Sequence, residues 1–128
     1  MVNDKIFFIT RDELLRLYVR NVLCFVADGN YTKITLVSGS KYTVASNLST
    51  IEKILNFQKL LSSQDSNKLR MFIRVGKSHI INVDFIQHIN IPLKRIILSD
   101  GASTSFQLHT SKDALKTLKT LIIESNKL

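Results

Sequence analysis

The lysine and arginine residues fall into stretches that contain no acidic residue, a pattern suited to binding a polyanion. Between Ser66 and Val83 lie four basic residues and no acid, and between Gly29 and Ile51 lie two basic residues and again no acid. Any one of these side chains alone is best explained as an ordinary solvated charge. Together they predict a positive face of loops and strand ends, which can neutralise phosphates and release their counterions.

Motifs that hold nucleotides, metals or catalytic nucleophiles are missing from the sequence. It has no glycine-rich phosphate loop, no HExxH and no GxSxG turn. The three histidines, His79, His88 and His109, lack metal-ligand spacing. The single cysteine, Cys24, lies in an apolar run that predicts a buried, inert thiol. We therefore predict a protein that is not an enzyme and that uses no cofactor or metal.

The composition predicts a folded, basic protein. The chain has 128 residues, 45% of them hydrophobic, and its 18 Lys+Arg exceed its 10 Asp+Glu to give a net charge of +8. Nucleic acid is the commonest partner of such a domain. No apolar run reaches the ~18 residues of a membrane span, and residues 1–5 do not resemble a signal peptide. We expect a cytoplasmic protein with no membrane partner, built as one domain over residues 1–128 with a core of about 5–123.

Alternating apolar and polar residues predict strands through most of the chain. The turn cluster 28–30 and the serine-glycine turn 38–40 separate the early strands, and Asp100-Gly101 predicts a later hairpin. Residues 62–68 are the least apolar stretch and predict a loop. The predicted strands are 5–10, 15–20, 23–27, 31–37, 41–45, 71–75, 78–83, 85–91, 95–99 and 102–108.

Two helices are predicted from capping boxes followed by apolar faces. The first box is Ser49-Thr50-Ile51-Glu52, with Leu48, Ile51 and Leu55 on one face. The second box is Thr110 to Asp113, and the closing helix places Ala114, Leu115, Leu118 and Ile122 towards a core. Because eight to ten short strands surround only two helices, the parallel βαβ alternation of a nucleotide-binding sheet is excluded.

Two motifs in the right order resemble the LytTR family of DNA-binding domains. Phe72–Asn82 reads FIRVGKSHIIN with Ile86 after it, similar to the family pattern F-x-R-V-H-R-S-Y-I-V-N and its following isoleucine. Upstream, Val22–Thr32 reads VLCFVADGNYT and is similar to the family element I-x-Y-I-E-A-x-G-N-Y-T. The residues 48–55 resemble the family's helix. The resemblance extends from about Lys5 to Ile123.

The resemblance implies a mainly β fold: an elongated arrangement of three small antiparallel sheets with two short helices. It also implies a bacterial transcription regulator, often the effector half of a two-component response regulator that carries a receiver domain. DNA would be contacted by loops and strand ends in successive major grooves, and it would bend. Partners would be double-stranded DNA, a second copy on direct repeats, and a receiver domain or sensor outside this chain.

Carried over by position, the family's three DNA-contacting places fall on residues of this chain. They are the turn at Tyr31, Thr32 and Lys33; the segment Arg74, Lys77 and Ser78; and the start of the last helix with His109, Ser111 and Lys112. Lys77 can donate to guanine O6 and N7, Thr32 can offer its hydroxyl or methyl to a base edge, and Lys33, Arg74 and Lys112 can contact phosphates. The amides that begin the last helix can also hold a phosphate.

Alternative interpretations remain open for several of these residues. Arg74 can equally be a structural link within the sheet, Asn82 is better explained by a backbone turn, and Ser78 can serve either role. The family's histidine before the basic position is Gly76 here, and its aromatic after the serine is His79. The rival function is a β-rich protein-interaction module whose basic face meets an acidic partner. Single-stranded nucleic acid ranks last, because the chain has no tryptophan for stacking.

Overall fold

The computed structural model describes residues 4–62 and 71–125, which form ten strands, two α-helices and two short 3-10 helices. In chain order the elements are β1 (Lys5–Ile9), β2 (Leu14–Tyr18), a 3-10 turn (Val19–Asn21), β3 (Val22–Asp28), β4 (Tyr31–Leu36), β5 (Lys41–Val44), α1 (Leu48–Ser62), β6 (Phe72–Val75), β7 (His79–Asn82), a 3-10 turn (Val83–Phe85), β8 (Ile86–Asn90), β9 (Arg95–Ser99), β10 (Ser105–His109) and α2 (Lys112–Ser125). The strand and helix predictions are confirmed to within a few residues at their ends.

The strands form three antiparallel sheets, as the fold prediction stated. β1 and β2 make a two-stranded ribbon, β10-β9-β8 make a three-stranded sheet, and β5-β4-β3-β7-β6 make a five-stranded sheet. In the large sheet the central strand β3 pairs with β4 through Phe25 and Ile34, and with β7 through Phe25 and Ile80. The sheet therefore brings β6 and β7 beside a hairpin that lies far earlier in the sequence.

The five-stranded sheet is covered on both faces, which gives the molecule two apolar cores. On one face the ribbon and α1 pack over Phe25, Ile34 and Ile80. On the other face the three-stranded sheet and α2 pack over Ile81 and Val75. Consecutive residues Ile80 and Ile81 point to opposite faces because side chains alternate along a strand. Burial on both faces explains why β3 and β7 are nearly continuous apolar runs.

A bulge in β3 decides where the cysteine lies. The pairing with β4 shifts register between Val22 and Cys24, so the neighbours Leu23 and Cys24 both face the second core. Cys24 is fully buried, as predicted. Burial raises the pKa of its thiol to about 12, although a hydrogen bond with Thr35 and the charge of Lys41 act in the opposite direction. A thiol held in this neutral form is a poor nucleophile.

Both helix starts differ from the predicted capping boxes. Asn47 caps α1, since its Oδ1 accepts a hydrogen bond from the amide of Thr50 at 2.9 Å. Ser111 caps α2, since its Oγ accepts from the amide of Ala114 at 3.2 Å. The box predicted at Ser49 to Glu52 is wrong, because the side chains of Ser49 and Glu52 instead accept hydrogen bonds from Arg74 in β6. The predicted apolar faces are correct: Ile51, Leu115 and Leu118 are almost fully buried.

The Asp100-Gly101 hairpin is present, but its loop is longer than the two residues predicted. Ser99 pairs with Ser105, so residues 100–104 form the connection. Oδ1 of Asp100 accepts hydrogen bonds from the amides of Ala102, Ser103 and Thr104. These bonds lower the pKa of the Asp100 carboxyl and close the loop. Of the loop predicted at 62–68, Ser62 instead ends α1, and the remainder lies outside the described residues.

Candidate nucleic-acid interface

Antiparallel pairing places two of the predicted DNA-contacting turns at the same end of the five-stranded sheet. β3 ends at Asp28, where the β3–β4 turn follows, and its neighbour β7 begins at His79 after the β6–β7 turn. The amide of Ala27 donates to the carbonyl of Ser78 at 2.8 Å, which joins the two turns directly. Segments about fifty residues apart in sequence therefore present their side chains from one edge.

The third predicted place, the start of α2, reaches the same end through the β6–β7 turn. Gly76 has a φ of +67°, and a Cβ added there would lie 3.2 Å from Oγ1 of Thr110 and 3.9 Å from Cβ of Ala114. Only glycine allows both this left-handed backbone and this close approach. We name this region the basic end, and define it as residues 28–33, 76–78, 91–94 and 109–112.

The β8–β9 turn completes the basic end. The amide of Thr110 donates to the carbonyl of Lys94 at 3.1 Å. Lys94 is exposed and has a φ of 55°, the only positive φ of a described non-glycine residue. Within the turn, Asn90 Oδ1 accepts from the amide of Leu93, and the Lys94 amide donates to the carbonyl of Ile91. The backbone that carries the exposed Lys94 side chain is therefore fixed by hydrogen bonds within the turn and to Thr110.

Arg74 links the β6–β7 hairpin to α1. Its Nη1 donates to Ser49 Oγ and to Glu52 Oε1, both at 3.1 Å, and its Nη2 donates to the carbonyl of Lys77 at 2.8 Å. Its side chain is only 27% exposed. These bonds correspond to the structural alternative of the sequence analysis: Arg74 fixes the backbone of Lys77 and draws Ser49 and Glu52 away from a capping box.

The β6–β7 turn presents the basic position that the resemblance singled out. Lys77 and Ser78 are exposed, and Gly76 beside them is exposed as well. His79, the first residue of β7, is half-buried between Val26 and Val75 on the neighbouring strands. Its burial lowers the pKa of His79, which favours the neutral ring near neutral pH. The turn therefore offers an ammonium and a hydroxyl on a rigid backbone.

Residues of the β3–β4 turn divide between surface and core. Tyr31 is 52% exposed and Thr32 is 0% exposed. Oγ1 of Thr32 donates to the carbonyl of Ser46 at 2.7 Å, so its hydroxyl ties β4 to the loop before α1. Lys33 is exposed and forms an ion pair with Asp28 at 3.7 Å. Tyr31 and Lys33 can meet a ligand from this face, whereas Thr32 supports the turn from inside.

At the start of α2, His109, Ser111 and Lys112 are all exposed. His109 pairs across the sheet with Arg95, and its Nε2 lies 3.3 Å from Nε2 of Gln107. Ser111 already accepts the hydrogen bond that caps the helix. Asp113 lies in the first turn, where its carboxylate interacts with the helix dipole and opposes binding of a phosphate by the same amides. Lys112 is the exposed cation of this segment.

Lys94 and Arg95 were not predicted from the sequence. They follow Pro92 in the segment 91–94, which carried no motif, and their approach to α2 depends on the pairing of β9 with β10. Nε of Arg95 is buried and has no hydrogen-bond partner among residues 4–62 and 71–125. The proline and the following pair of basic residues were the signals available in the sequence.

In the described parts of the chain, no three His, Cys, Asp or Glu side chains gather into a group that can hold a metal ion. None of the helices described there has both the length and the apolar character to cross a membrane.

Comparison with known proteins gives a likeness in three dimensions only. No protein-family model matches the sequence, and no curated protein matches it. Among solved structures, the chain is similar to the LytTr DNA-binding domain of a protein described as a methyl-accepting/DNA response regulator from Bacillus cereus. The TM-score is 0.60 at 17% sequence identity, over 94% of this chain and 97% of that one.

The chain therefore has the LytTR type of fold, which is a mostly β architecture of three antiparallel sheets and two helices. The resemblance seen in the two sequence motifs is confirmed at the level of fold. The likeness covers nearly the whole of both chains.

Proposed function

We propose that this protein binds double-stranded DNA through the basic end and regulates transcription, without enzymatic activity. The observation that carries the proposal is the convergence of four turn or helix-start segments that present exposed Lys33, Lys77, Lys94 and Lys112. Several cations that converge on a fixed backbone suit a polyanion with regularly spaced charges better than they suit a small anion. In this proposal residues 1–128 act as one LytTR-like domain with its core at about 5–123, in a bacterial cytoplasm.

Base recognition would fall to the two turns that stand on the five-stranded sheet. Lys77 can donate to O6 and N7 of guanine, and Ser78 can donate to or accept from a base edge. Exposed Tyr31 offers an apolar ring and a hydroxyl on the neighbouring turn. Because Arg74 binds the Lys77 carbonyl, the backbone that carries the Lys77 ammonium is fixed. Arg74 would thus act as a positioning residue, and Thr32 as an internal support.

Phosphate contacts would set the affinity and the orientation. The carbonyl of Lys94 binds the amide of Thr110, two residues before Lys112, and Lys33 lies in β4 opposite Val26. His109 and Ser111 can add hydrogen bonds at the α2 side. Turns and strand ends, rather than a recognition helix, would enter successive major grooves from one side of the duplex, and the DNA would bend towards the protein.

The regulatory context follows from the same proposal. Two copies would occupy direct repeats, and a receiver domain or a sensor would supply the signal. The B. cereus protein with the similar fold is described as a response regulator.

Selection from a randomised duplex pool at physiological salt tests the proposal. We expect enrichment of a motif, with repeats spaced about one helical turn or roughly 10 bp apart. Weak binding without enrichment, lost on adding salt, would instead leave a generic polyanion surface and favour the protein-interaction module with an acidic partner.

A substitution at Lys77 tests the assignment of the base contact. Lys77→Ala should cost about 1–3 kcal/mol on the selected site and much less on random DNA. Lys41→Ala, at the opposite end of the five-stranded sheet where Lys41 lies over the Phe106 ring, is the matched control. Equal losses on both DNAs would make Lys77 a phosphate contact.

A further inference from the structure

The outer face of the β1–β2 ribbon is both apolar and cationic, and it lies apart from the proposed DNA-binding surface. Phe7, Ile9 and Leu14 are exposed by 49%, 69% and 63%. Ile9 pairs directly with Leu14 across the two strands, so these two side chains lie together. Large apolar groups side by side on a surface are typical of a protein-interaction site.

Positive charge is gathered at the other end of the same face. The guanidinium carbons of Arg16 and Arg20 lie 4.8 and 5.0 Å from the centre of the Tyr18 ring, and Nζ of Lys5 lies 5.9 Å from it. Asp4 forms an ion pair with Arg20. No acidic side chain pairs with Arg16 in residues 4–62 and 71–125, so the cluster keeps a net positive charge.

The Tyr18 cluster lies far from the basic end. β2 continues through residues 19–21 into Val22, the first residue of β3, and Asn21 accepts a hydrogen bond from the amide of Val37. The basic end begins at the other terminus of β3, at Asp28. Seven residues of strand separate the two places, which is about 20 Å at the usual rise per residue.

We propose that the ribbon's outer face binds an extended segment of another protein that carries acidic side chains at one end and apolar side chains at the other. Charge complementarity selects acidic residues for Arg16 and the net positive cluster around Tyr18, and the exposed Phe7, Ile9 and Leu14 select apolar ones. Among the described residues β1 and β2 pair only with each other, so the ribbon leaves edge amides and carbonyls that an extended chain can satisfy.

The other occupants of such a face fit less well. A second copy presents the same net positive face, so charge complementarity favours an acidic partner over it. An anionic lipid surface satisfies the charges and the apolar groups, but it cannot pair with the backbone of a strand edge. These occupants are separated by the experiment.

Fluorescence anisotropy with a labelled peptide that carries glutamates in one half and valines in the other half, flanked by polar residues, tests the proposal on the full chain. We expect saturable binding that weakens with salt. It should fall at least tenfold for Arg16→Glu and for the double variant Ile9→Thr, Leu14→Thr. A peptide with lysine in place of glutamate should not bind. The matched control, Leu121→Thr with Ile123→Thr, alters exposed apolar residues of α2 and should leave binding unchanged.

DNA binding by the same variants separates this proposal from the previous one. We expect Ile9→Thr, Leu14→Thr to bind a selected duplex as the wild type does. The proposal is overturned if peptide binding is absent at millimolar concentration, survives Arg16→Glu, or tolerates lysine in place of glutamate. It is also overturned if the ribbon variants abolish self-association, binding to anionic phosphatidylglycerol vesicles, or DNA binding.

Discussion

The basic end and the ribbon both concentrate positive charge, but they hold it in different ways. At the basic end, exposed lysines lie on separate segments whose backbones are joined by hydrogen bonds such as Ala27 to Ser78 and Thr110 to Lys94. On the ribbon, Lys5, Arg16 and Arg20 surround one aromatic ring beside exposed apolar side chains. The first arrangement spreads charge among hydroxyls and the second combines charge with apolar surface.

The difference shows why net charge alone does not identify a partner. A nucleic acid presents a regular series of phosphates and polar base edges, which separated cations and hydroxyls can match. A protein segment presents fewer charges and more apolar area, which a mixed face can match. The spacing and neighbours of the cations therefore carry more information than the excess of +8.

Neutralising each cluster gives the largest expected contrast. The triple variant Lys77→Ala, Lys94→Ala, Lys112→Ala should lose DNA affinity roughly hundredfold at physiological salt. It should also reduce the steepness of log K against log salt by about 2 units, since Lys94 and Lys112 are the proposed phosphate contacts and each such contact contributes about 0.9. The matched variant Lys5→Ala, Arg16→Ala, Arg20→Ala should change neither quantity appreciably. Salt titrations by fluorescence anisotropy measure both quantities. Equal losses of DNA affinity in the two triple variants would show that both clusters contribute to DNA binding.

Removing the group that organises each cluster tests the role of rigidity. Arg74→Ala should lower DNA affinity about tenfold and the free energy of unfolding by about 1–2 kcal/mol, discounted for partial exposure. Arg74→Lys should recover little, because an ammonium cannot form the same fork of hydrogen bonds. Tyr18→Leu releases the ribbon cations and should leave DNA affinity unchanged. If Arg74→Ala bound DNA normally while retaining its fold, pre-organisation of Lys77 would not matter.

Two glycines of the basic end should respond unequally to a methyl group. Gly29→Ala meets open space, so its cost should be about 1 kcal/mol for the left-handed backbone at φ +62°. Gly76→Ala should cost about 2 kcal/mol, because Thr110 must also move. Urea unfolding measures both. Adding Thr110→Ala to Gly76→Ala should restore part of the loss, and no restoration would argue against the close contact of turn and helix.

The smallest effect should come from pH acting on His79 at the edge of the basic end. Burial lowers the pKa of His79 below its ordinary value of 6.5, so the unfolded chain binds a proton more readily than the folded one. The stability linked to this histidine is therefore complete above pH 6.5 and is lost as the pH falls through the folded pKa. His79→Gln should flatten this part of the stability curve. Thermal melts between about pH 5 and 8 measure it.

Strand positions were predictable from the sequence wherever an apolar run or an apolar and polar alternation indicated a strand. The apolar run at Leu23–Ala27 and the repeat around Ile80 and Ile81 were predicted as strands, and Leu23 to Phe25, Ile80 and Ile81 are buried. The capping boxes were not predictable, because a serine followed by a glutamate suits both a helix start and an arginine. Arg74 lies 25 residues from Ser49 and 22 from Glu52, a distance that local patterns do not span.

The segments that form the candidate site were predictable from the sequence. Which residues of those segments face the surface was not. The motifs located Lys77 and the turn at Tyr31 because a family resemblance carried them. Thr32 was expected at the surface and lies inside, since strand alternation turns every second residue of β4 towards a core. Lys94 was missed because only the pairing of β9 with β10 brings its turn to Thr110.

The sequence by itself determined the elements of this protein, because hydrophobic alternation, turn glycines and charge are local properties. Its strands, its two helices, its inert cysteine and its positive charge all follow from residues within a few positions of one another. Only the tertiary structure decided that four distant segments meet at one end, that Arg74 is a link, and that the ribbon's cations gather on Tyr18. The physical reason is that hydrogen bonds and packing between strands depend on register, which is set by the whole sheet rather than by any single segment.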